Sequence, residues 1–234
     1  MLAVILAGGL GTRLRPLTNT TPKPMVLVNG RPFLEYELKL LAKNGISDFV
    51  LCVGYLGEVI RDYFGSGEKL GISIQYSFDG EEPLGIAGAL KRAEPILQDV
   101  FIVTYGDSYL RAEYAGAMKQ FLRAGKLGMM LAYENHNRYG RSDLAIKDGF
   151  VTRYDKQHQT PDMVWINYGI SILRRETLKS IPSDQKYDEE QFYGELIKKN
   201  ELLAFVVKDR FFEIGTGPAL KEFESFISGE KIAE

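Results

Sequence analysis

The first half of the chain alternates short apolar runs with amphipathic stretches. The apolar runs predict strands over residues 2–7, 48–53, 72–78 and 100–105. The amphipathic stretches predict helices over residues 32–43, 58–64 and 88–97. Because strands that alternate with helices are typical of βαβ units, this half predicts a mainly parallel sheet whose four strands run in one direction.

The second half predicts additional antiparallel structure. The turn Lys147-Asp148-Gly149 contains Asp-Gly, a strong hairpin signal, so residues 144–154 are predicted to form a hairpin. Further strands are predicted over 127–134, 163–173, 202–207 and 210–214, and further helices over 115–124, 188–199 and 218–227. The chain has no internal repeat, low-complexity tract or linker, so residues 1–234 are expected to form a single domain.

Composition and charge exclude several classes of protein. The chain has 234 residues with 29 basic and 31 acidic side chains, a formal net charge of -2, so neither nucleic acid nor a membrane is an expected partner. The single cysteine, Cys52, excludes an internal disulfide and a multi-cysteine zinc site, and it favours a cytoplasmic location. No apolar run approaches the roughly 20 residues of a membrane span.

A loop rich in glycine and basic residues follows the first predicted strand, over residues 6–25 (LAGGLGTRLRPLTNTTPKPM). Three glycines near its start expose successive backbone N–H groups, which can bind phosphate oxygens. Arg13 adds a planar guanidinium suited to bridging phosphates, and Lys23 adds a compact positive charge. The segment therefore predicts a binding site for an anion.

Two common phosphate-binding loops do not fit this segment. The dinucleotide pattern G-x-G-x-x-G requires a third glycine where Leu14 stands, and the ATPase pattern requires a Gly-Lys-Ser or Gly-Lys-Thr that the sequence lacks. The segment instead resembles the GGxGTRLxPLTxxxPKPM signature of sugar-1-phosphate nucleotidylyltransferases. The resemblance implies their Rossmann-like α/β fold: a mainly parallel mixed sheet with helices on both faces and a small antiparallel insertion.

A candidate metal site lies at the end of the strand predicted over residues 100–105. Asp107 follows that strand at the sheet edge where the glycine loop begins, and Mg²⁺ commonly takes one or two carboxylates plus substrate phosphates. Tyr105-Gly106-Asp107 also resembles the family's metal-binding L-x-G-D segment. Glu213 occupies the position of its second metal-ligating aspartate, one methylene longer. We therefore expect Asp107 and Glu213 to bind Mg²⁺.

Further segments resemble the base-binding and sugar-binding parts of the family. Residues 82–89 (EPLGIAGA) are similar to the E-P-L-G-T-A-G-A segment that reads the base, in the form most like mannose-1-phosphate and heptose-1-phosphate guanylyltransferases. Asp155-Lys156 stands in place of the family's E-K-P. Residues 167–170 (NYGI) resemble its N-A-G-I strand, and Tyr139-Gly140 resembles its Y-G contact.

The resemblance assigns a role to each matching residue. Arg13 and the loop amides would neutralise the departing pyrophosphate, Lys23 would hold the α-phosphate and the sugar phosphate, and Asp107 would complete the catalytic set. The nucleotide-binding residues would be Leu6, Ala7, Gly8, Gly9, Gly11, Thr12, Arg13, Glu82, Pro83, Gly85 and Gly88. The residues that bind the sugar phosphate would be Lys23, Gly140, Asp155, Lys156 and Asn167.

The implied activity joins an NTP and a sugar 1-phosphate to give an NDP-sugar and pyrophosphate, with GTP and mannose- or heptose-1-phosphate favoured. Three alternatives stay open. One is UTP- or CTP-dependent transfer to another sugar phosphate. Another is transfer to a different small phosphate monoester. The third is a non-catalytic nucleotide-sugar sensor, which the departures at Ile86, Asp155 and Glu213 motivate. The sequence leaves the oligomeric state open.

Overall fold

A nine-stranded mixed sheet forms the centre of the computed structural model, which describes residues 1–80, 83–183 and 185–229. The strands are β1 (Leu2–Leu6), β2 (Leu27–Val28), β3 (Arg31–Pro32), β4 (Asp48–Val53), β5 (Ser73–Phe78), β6 (Val100–Tyr105), β7 (Ser108–Tyr109), β8 (Gly128–Glu134), β9 (Leu144–Lys147), β10 (Phe150–Tyr154), β11 (Trp165–Arg174), β12 (Leu202–Val207) and β13 (Phe212–Glu213). The helices are α1 (Phe33–Lys43), α2 (Gly57–Phe64), α3 (Gly85–Ala93), α4 (Tyr114–Ala124), α5 (Glu189–Lys198) and α6 (Gly217–Gly229).

The strand order in the large sheet is β5-β4-β1-β6-β11-β8-β12-β10-β9. The first four strands are mutually parallel, which confirms the βαβ prediction for the first half of the chain. From β11 onward the sheet is mixed, because β11 runs antiparallel to both β6 and β8, whereas β12 pairs in parallel with β8. The parallel half therefore brings four strand ends to one edge, which is where open α/β sheets bind their ligands.

Helices cover both faces of the sheet, as the sequence predicts. Along β1, Ala3 and Ile5 point to one face, and Leu2 and Val4 point to the other. The first face packs against α1, α2 and α4, and the second packs against α3 and α5. Burying one large aliphatic side chain stabilises a fold by about 1.5–3 kcal/mol, so the two apolar faces hold the sheet between its helices.

The predicted hairpin is confirmed as β9 and β10, which pair antiparallel across Asp148 and Gly149. Both turn residues have positive φ, 52° and 80°, as a tight hairpin turn requires. Two shorter pairings lie outside the large sheet, namely β2 with β3 and β7 with β13. The β7–β13 pair is important for the site because it joins the segment after β6 to the segment before α6.

Helix α3 differs from its prediction over residues 88–97. It begins at Gly85, where φ is +72°, because a glycine permits the turn that leads into the helix. It ends at Ala93, since Pro95 has no N–H to continue the hydrogen-bond ladder, and a short 3₁₀ turn, Glu94–Ile96, follows. The strand predicted over residues 210–214 is confined to Phe212–Glu213.

None of the helices within residues 1–80, 83–183 and 185–229 is both long enough and apolar enough to cross a membrane.

Candidate active site

The carboxyl ends of the four parallel strands surround a cavity of about 270 Å³. The loop after β1, the residue after β5 and the Gly106-Asp107 turn after β6 all contribute to its wall. The lining residues are Leu6, Ala7, Gly8, Gly9, Lys23, Pro24, Cys52, Asp79, Pro83, Gly85, Ile86, Ala89, Tyr105, Gly106 and Asp107. The cavity thus brings together the glycine loop, the predicted base-reading segment and the predicted catalytic carboxylate.

The glycine loop folds back onto Lys23. Gly11 has a φ of +61°, and its carbonyl accepts a 2.8 Å hydrogen bond from Thr18 Oγ1. A Cβ built on Gly11 would lie 3.1 Å from the Cβ of Lys23, so the chain passes very close to the lysine. The turn residues Thr12 and Arg13 that follow Gly11 are exposed.

Gly8 is required for close packing rather than for a positive φ. A Cβ built on Gly8 would lie 2.9 Å from Asp79 Oδ2 and 3.2 Å from the backbone nitrogen of Gly54. A larger residue would therefore displace either a buried carboxylate or a neighbouring backbone segment. This close approach keeps the start of the loop against the end of β5.

Lys23 and Asp107 form an ion pair between Lys23 Nζ and Asp107 Oδ2. The side chain of Lys23 is 10% exposed and that of Asp107 is 32% exposed, and both line the cavity. Lys23 follows Pro22 in a short 3₁₀ turn, Lys23–Met25, whose residues are all buried. Two of the three predicted catalytic residues are therefore adjacent, although 84 positions separate them in the chain.

Arg13 and Glu213 approach the same point, the backbone of Gly215. Glu213 Oε2 accepts a 2.7 Å hydrogen bond from the Gly215 amide. A Cβ built on Gly215 would lie 3.0 Å from Arg13 Nη2 and 3.1 Å from Glu213 Cδ. Strand pairing places Glu213 opposite Ser108, the residue after Asp107. The backbones that carry the two predicted metal ligands are therefore paired, since the Ile214 amide also donates a 3.0 Å hydrogen bond to the Asp107 carbonyl, and Arg13 lies beside the Cα of Gly215.

The predicted base-reading segment is described from Pro83 onward, and Glu82 lies outside the described residues. Pro83 and Gly85 line the cavity together with Ile86. Gly88 instead packs against the loop before α5, because a Cβ built on it would lie 2.7 Å from the carbonyl oxygen of Gln185.

Lys156, which is predicted to bind the sugar phosphate, contacts a buried carboxylate, Glu189, at the first position of α5. Glu189 is 5% exposed and forms an ion pair with Lys156 Nζ. Its two oxygens also accept hydrogen bonds from the hydroxyls of Tyr105 and Tyr154. Since Tyr105 lines the cavity, this network connects Lys156 to the cavity wall.

The other predicted sugar-side residues have mainly local partners. Asp155 Oδ1 accepts 2.7 Å hydrogen bonds from the amides of Gln157 and His158, and these bonds lower the pKa of Asp155. The carbonyl of Gly140 accepts a 2.8 Å hydrogen bond from Asn135.

Asn167 stands beside the tyrosine network. Its amide nitrogen Nδ2 lies 3.5 Å from the Tyr154 hydroxyl, and its Oδ1 accepts a 3.0 Å bond from the Gly169 amide.

Sequence reasoning missed two acids at the site, Asp79 and Glu189. Asp79 directly follows β5, so the argument that selected Asp107 from its place after a parallel strand applies equally to Asp79. Burial raises the pKa of Asp79 to about 6. Glu189 had no such signal, because only tertiary packing brings α5 beside Tyr105.

The nucleotidyl transferase family matches residues 2–229, and the chain belongs to that family. It is thus a sugar-1-phosphate nucleotidylyltransferase by class, as its first motif indicates.

Several characterised proteins resemble this chain. It is 35% identical to a D-glycero-alpha-D-manno-heptose 1-phosphate guanylyltransferase of Campylobacter jejuni, over 92% of this chain and 95% of the relative. It is 33% identical to a UTP–glucose-1-phosphate uridylyltransferase of Synechocystis, over 80% of this chain but only 53% of that longer relative. The crystal structure of HddC from Yersinia pseudotuberculosis complexed with GMP-PN superposes with a TM-score of 0.78 at 29% identity, covering 97% of this chain and 99% of HddC.

Proposed function

We propose that the protein transfers a guanylyl group from GTP to a heptose or mannose 1-phosphate, giving a GDP-sugar and pyrophosphate. The observation that carries this proposal is the match to the heptose-1-phosphate guanylyltransferase along almost the full length of both chains. The cavity adds support, since its glycine loop, its lysine and its carboxylate suit a nucleoside triphosphate.

The sugar phosphate is its own nucleophile in this reaction. A phosphate monoester has a second pKa near 6, so its oxygen is already anionic at neutral pH and needs no general base. That oxygen attacks the α-phosphorus in line, and the bond from the α-phosphorus to the bridging oxygen of pyrophosphate breaks. The protein therefore contributes positioning and charge neutralisation.

Lys23 and Arg13 provide the positive charge in this proposal. Lys23 is buried at the cavity wall, so its ammonium can hold the α-phosphate and the sugar phosphate close together. Arg13 is exposed at the end of the glycine loop, where its guanidinium and the loop amides neutralise the departing pyrophosphate.

Asp107 and Glu213 would hold Mg²⁺. Carboxylate oxygens suit this ion, which takes its remaining ligands from phosphates and water. The segments that carry the two acids also pair, since Glu213 is opposite Ser108 and the Ile214 amide donates to the Asp107 carbonyl. When bound, the ion offsets the negative charge of the triphosphate. Lys23, which is paired with Asp107, keeps that carboxylate turned toward the cavity.

The sugar phosphate would bind beside the Glu189 network, where Lys156 supplies a second cation. Glu189 holds Lys156 by an ion pair, while Asn167 lies on strand β11 and Gly140 lies on the loop after β8.

We further propose that the chain works as one domain, supported by the family match over residues 2–229. We also propose that it acts in the cytoplasm, supported by its single, free thiol at Cys52.

A pyrophosphate-release assay with five nucleoside triphosphates and a panel of sugar 1-phosphates tests the proposal. We expect release with GTP and heptose or mannose 1-phosphate, only when Mg²⁺ is present. The similarity to a UTP-dependent relative makes UTP the second candidate nucleotide. Release with UTP and not with GTP would reject the guanylyl assignment, and no release with any pair would favour a nucleotide-sugar sensor.

A further inference from the structure

Asp143 is a buried acid beside the residues proposed to bind the sugar phosphate, and it belongs to none of the motifs that resemble the family. The residue is 8% exposed and stands directly before β9, three positions after Gly140. A carboxylate rarely lies this deep in a protein unless other groups bind it or pair with it. The partners of Asp143 therefore indicate what the acid does.

Asp143 joins the three segments that carry the residues proposed to bind the sugar phosphate. Its amide donates a 2.9 Å hydrogen bond to the Trp165 carbonyl on β11, and its carbonyl accepts a 3.0 Å bond from the Asp155 amide after β10. Its side-chain Oδ1 accepts a 2.8 Å bond from the Asn167 amide. The loop that contains Gly140 is therefore connected, through this one residue, to the segments of Asp155 and Asn167.

The carboxylate of Asp143 takes the place of a strand partner for Asn167. Pairing of β11 with β9 joins Trp165 to Leu144. Two residues further along β11, the acceptor of the Asn167 amide is the Asp143 side chain. The pairing of β11 with β8 is also irregular between Asn167 and Ser171. Asp143 thus holds the backbone of Asn167 at a point where the sheet itself is irregular.

The side chain of Asn167 is oriented by a second set of contacts. Its Oδ1 accepts a 3.0 Å hydrogen bond from the Gly169 amide, and its Nδ2 lies 3.5 Å from the Tyr154 hydroxyl. Nδ2 carries two N–H groups, so one can be directed at Tyr154 while the other donates to a ligand. With its backbone and its Oδ1 both held, Asn167 presents that donor in a fixed direction, as a residue that positions a substrate requires.

The charge of Lys156 offsets part of the cost of burying Asp143. Burial raises the pKa of Asp143 to about 6, whereas the hydrogen bond from the Asn167 amide and the positive charge of Lys156 lower it. Burial lowers the pKa of Lys156, and the charges of Asp143 and Glu190 oppose that effect. Asp143 is thus mainly ionised at neutral pH, and an ionised acceptor binds an amide more strongly than a neutral one.

We propose that Asp143 is a positioning residue for the sugar phosphate, because its carboxylate holds the Asn167 amide and thereby directs the Asn167 side chain at the substrate. This inference rests on the proposed function, in which Asn167 contacts the sugar phosphate. Loss of the carboxylate should weaken binding of the sugar phosphate, whereas the nucleotide cavity, which is lined by other residues, should keep its affinity for GTP.

The variants Asp143→Ala and Asp143→Asn provide the first test. Asparagine keeps an acceptor oxygen for the Asn167 amide, whereas alanine removes it. We expect Asp143→Ala to raise the KM for the sugar 1-phosphate roughly 10- to 100-fold, as the loss of one charge-assisted hydrogen bond implies, and to change the KM for GTP less than about threefold. Asp143→Asn should keep both KM values within about threefold of the wild type. An equal rise for both variants, no rise in either, or an equal rise in the two KM values would overturn the inference.

A double-mutant cycle separates positioning from a general loss of structure. If Asp143 acts through Asn167, the double variant with alanine at both positions should have nearly the sugar-phosphate KM of Asn167→Ala alone. Independent effects would multiply instead, and the inference would then be wrong. The matched control is Asp162→Ala, at an exposed acid of the segment before β11, which should leave both KM values unchanged.

The outcomes distinguish this inference from the proposed function. If the wild type releases no pyrophosphate with any pair of NTP and sugar 1-phosphate, the proposed function fails, and the inference fails with it. If the wild type is active and Asn167→Ala leaves the sugar-phosphate KM unchanged, the inference alone is wrong. That comparison needs only the Asn167 variant, so it decides even if Asp143→Ala does not fold.

Discussion

Arg13 is the residue whose role the structure sharpens most, because its guanidinium reaches Gly215 beside Glu213. Arg13→Ala should lower kcat far more than it weakens NTP binding, since the charge on the leaving pyrophosphate grows in the transition state. The expected loss of transition-state stabilisation is on the order of 3 kcal/mol, which lowers kcat about 100-fold. Steady-state kinetics measures it, with Arg15→Ala, an exposed arginine of the same loop, as the control. A loss smaller than about tenfold would exclude Arg13 as the neutralising group.

Glu213 permits a specific test of the metal site. Glu213→Asp shortens the side chain by one methylene, so the carboxylate would withdraw from an ion held with Asp107, and the Mg²⁺ concentration for half-maximal activity should rise several-fold. Asp107→Asn should abolish Mg²⁺-dependent turnover while the protein remains folded. An unchanged Mg²⁺ titration for Glu213→Asp would instead restrict Glu213 to its hydrogen bond with the Gly215 amide.

Asp79 should make stability depend on pH. Its pKa is about 6 in the folded protein against 3.8 for an unperturbed aspartate, so the folded state holds a proton that the unfolded state releases between these values. The stability contributed by this group therefore falls as pH rises from about 4 to 6 and is constant above. Asp79→Asn removes the effect and should stabilise the free protein by up to about 3 kcal/mol at pH 7, and by little near pH 4. Chemical denaturation across this pH range measures the difference in the free energy of unfolding between the variant and the wild type. A difference that does not change with pH would contradict the raised pKa of Asp79.

At the scale of elements, α5 supplies the acid around which the proposed sugar-binding side is arranged. Glu189 stands at the N-terminus of the helix, where the dipole favours a negative charge, and it accepts from Tyr105, Tyr154 and Lys156. Without it, two tyrosine hydroxyls lose a buried acceptor. Lys156 can turn its ammonium to water, since its side chain is 48% exposed.

Glu189→Ala should therefore lower the free energy of unfolding by about 2–4 kcal/mol. Chemical denaturation of this variant and of Glu190→Ala provides a matched pair. Glu190 is half-buried and accepts one bond, from the Lys156 amide at 2.6 Å, so its loss should cost about 1 kcal/mol or less. Equal losses would show that the network around Glu189 adds no stability of its own.

At the scale of the whole molecule, a nucleotide bound in the cavity would contact loops from three parallel strands and should stabilise them together. At a concentration 100 times its Kd, a ligand adds about 2.7 kcal/mol to the free energy of unfolding. This raises the Tm of a domain of this size by about 5–10 °C. We expect GTP with Mg²⁺ to give the largest shift among GTP, UTP, CTP, ATP and dTTP. A larger shift with UTP or CTP and none with GTP would reject guanine, and no shift with any nucleotide would argue against the cavity as the binding site.

Prediction from the sequence was most reliable where an apolar run was clear and residues typical of a turn followed it. Strands β4, β6 and β12 have the predicted bounds, and the hairpin at Asp148-Gly149 is where its turn residues indicate. It was less reliable where glycine or proline sets a boundary through tertiary contacts, as at Gly85 in α3. At the site, the first motif predicted Lys23 and the end of β6 predicted Asp107, and both line one cavity, whereas Asp79 was missed although it also follows a parallel strand.

The sequence alone determined the class of fold, the glycine loop and the family, because these depend on local periodicity and on residues close together in the chain. The tertiary structure alone decided which distant residues meet. Sheet pairing brings β5 beside β4 and thereby places Asp79 against Gly8, and packing of α5 on the sheet places Glu189 beside Lys156. Contacts of this kind depend on strand order and helix packing, which many local sequences can satisfy equally well, so no local pattern encodes them.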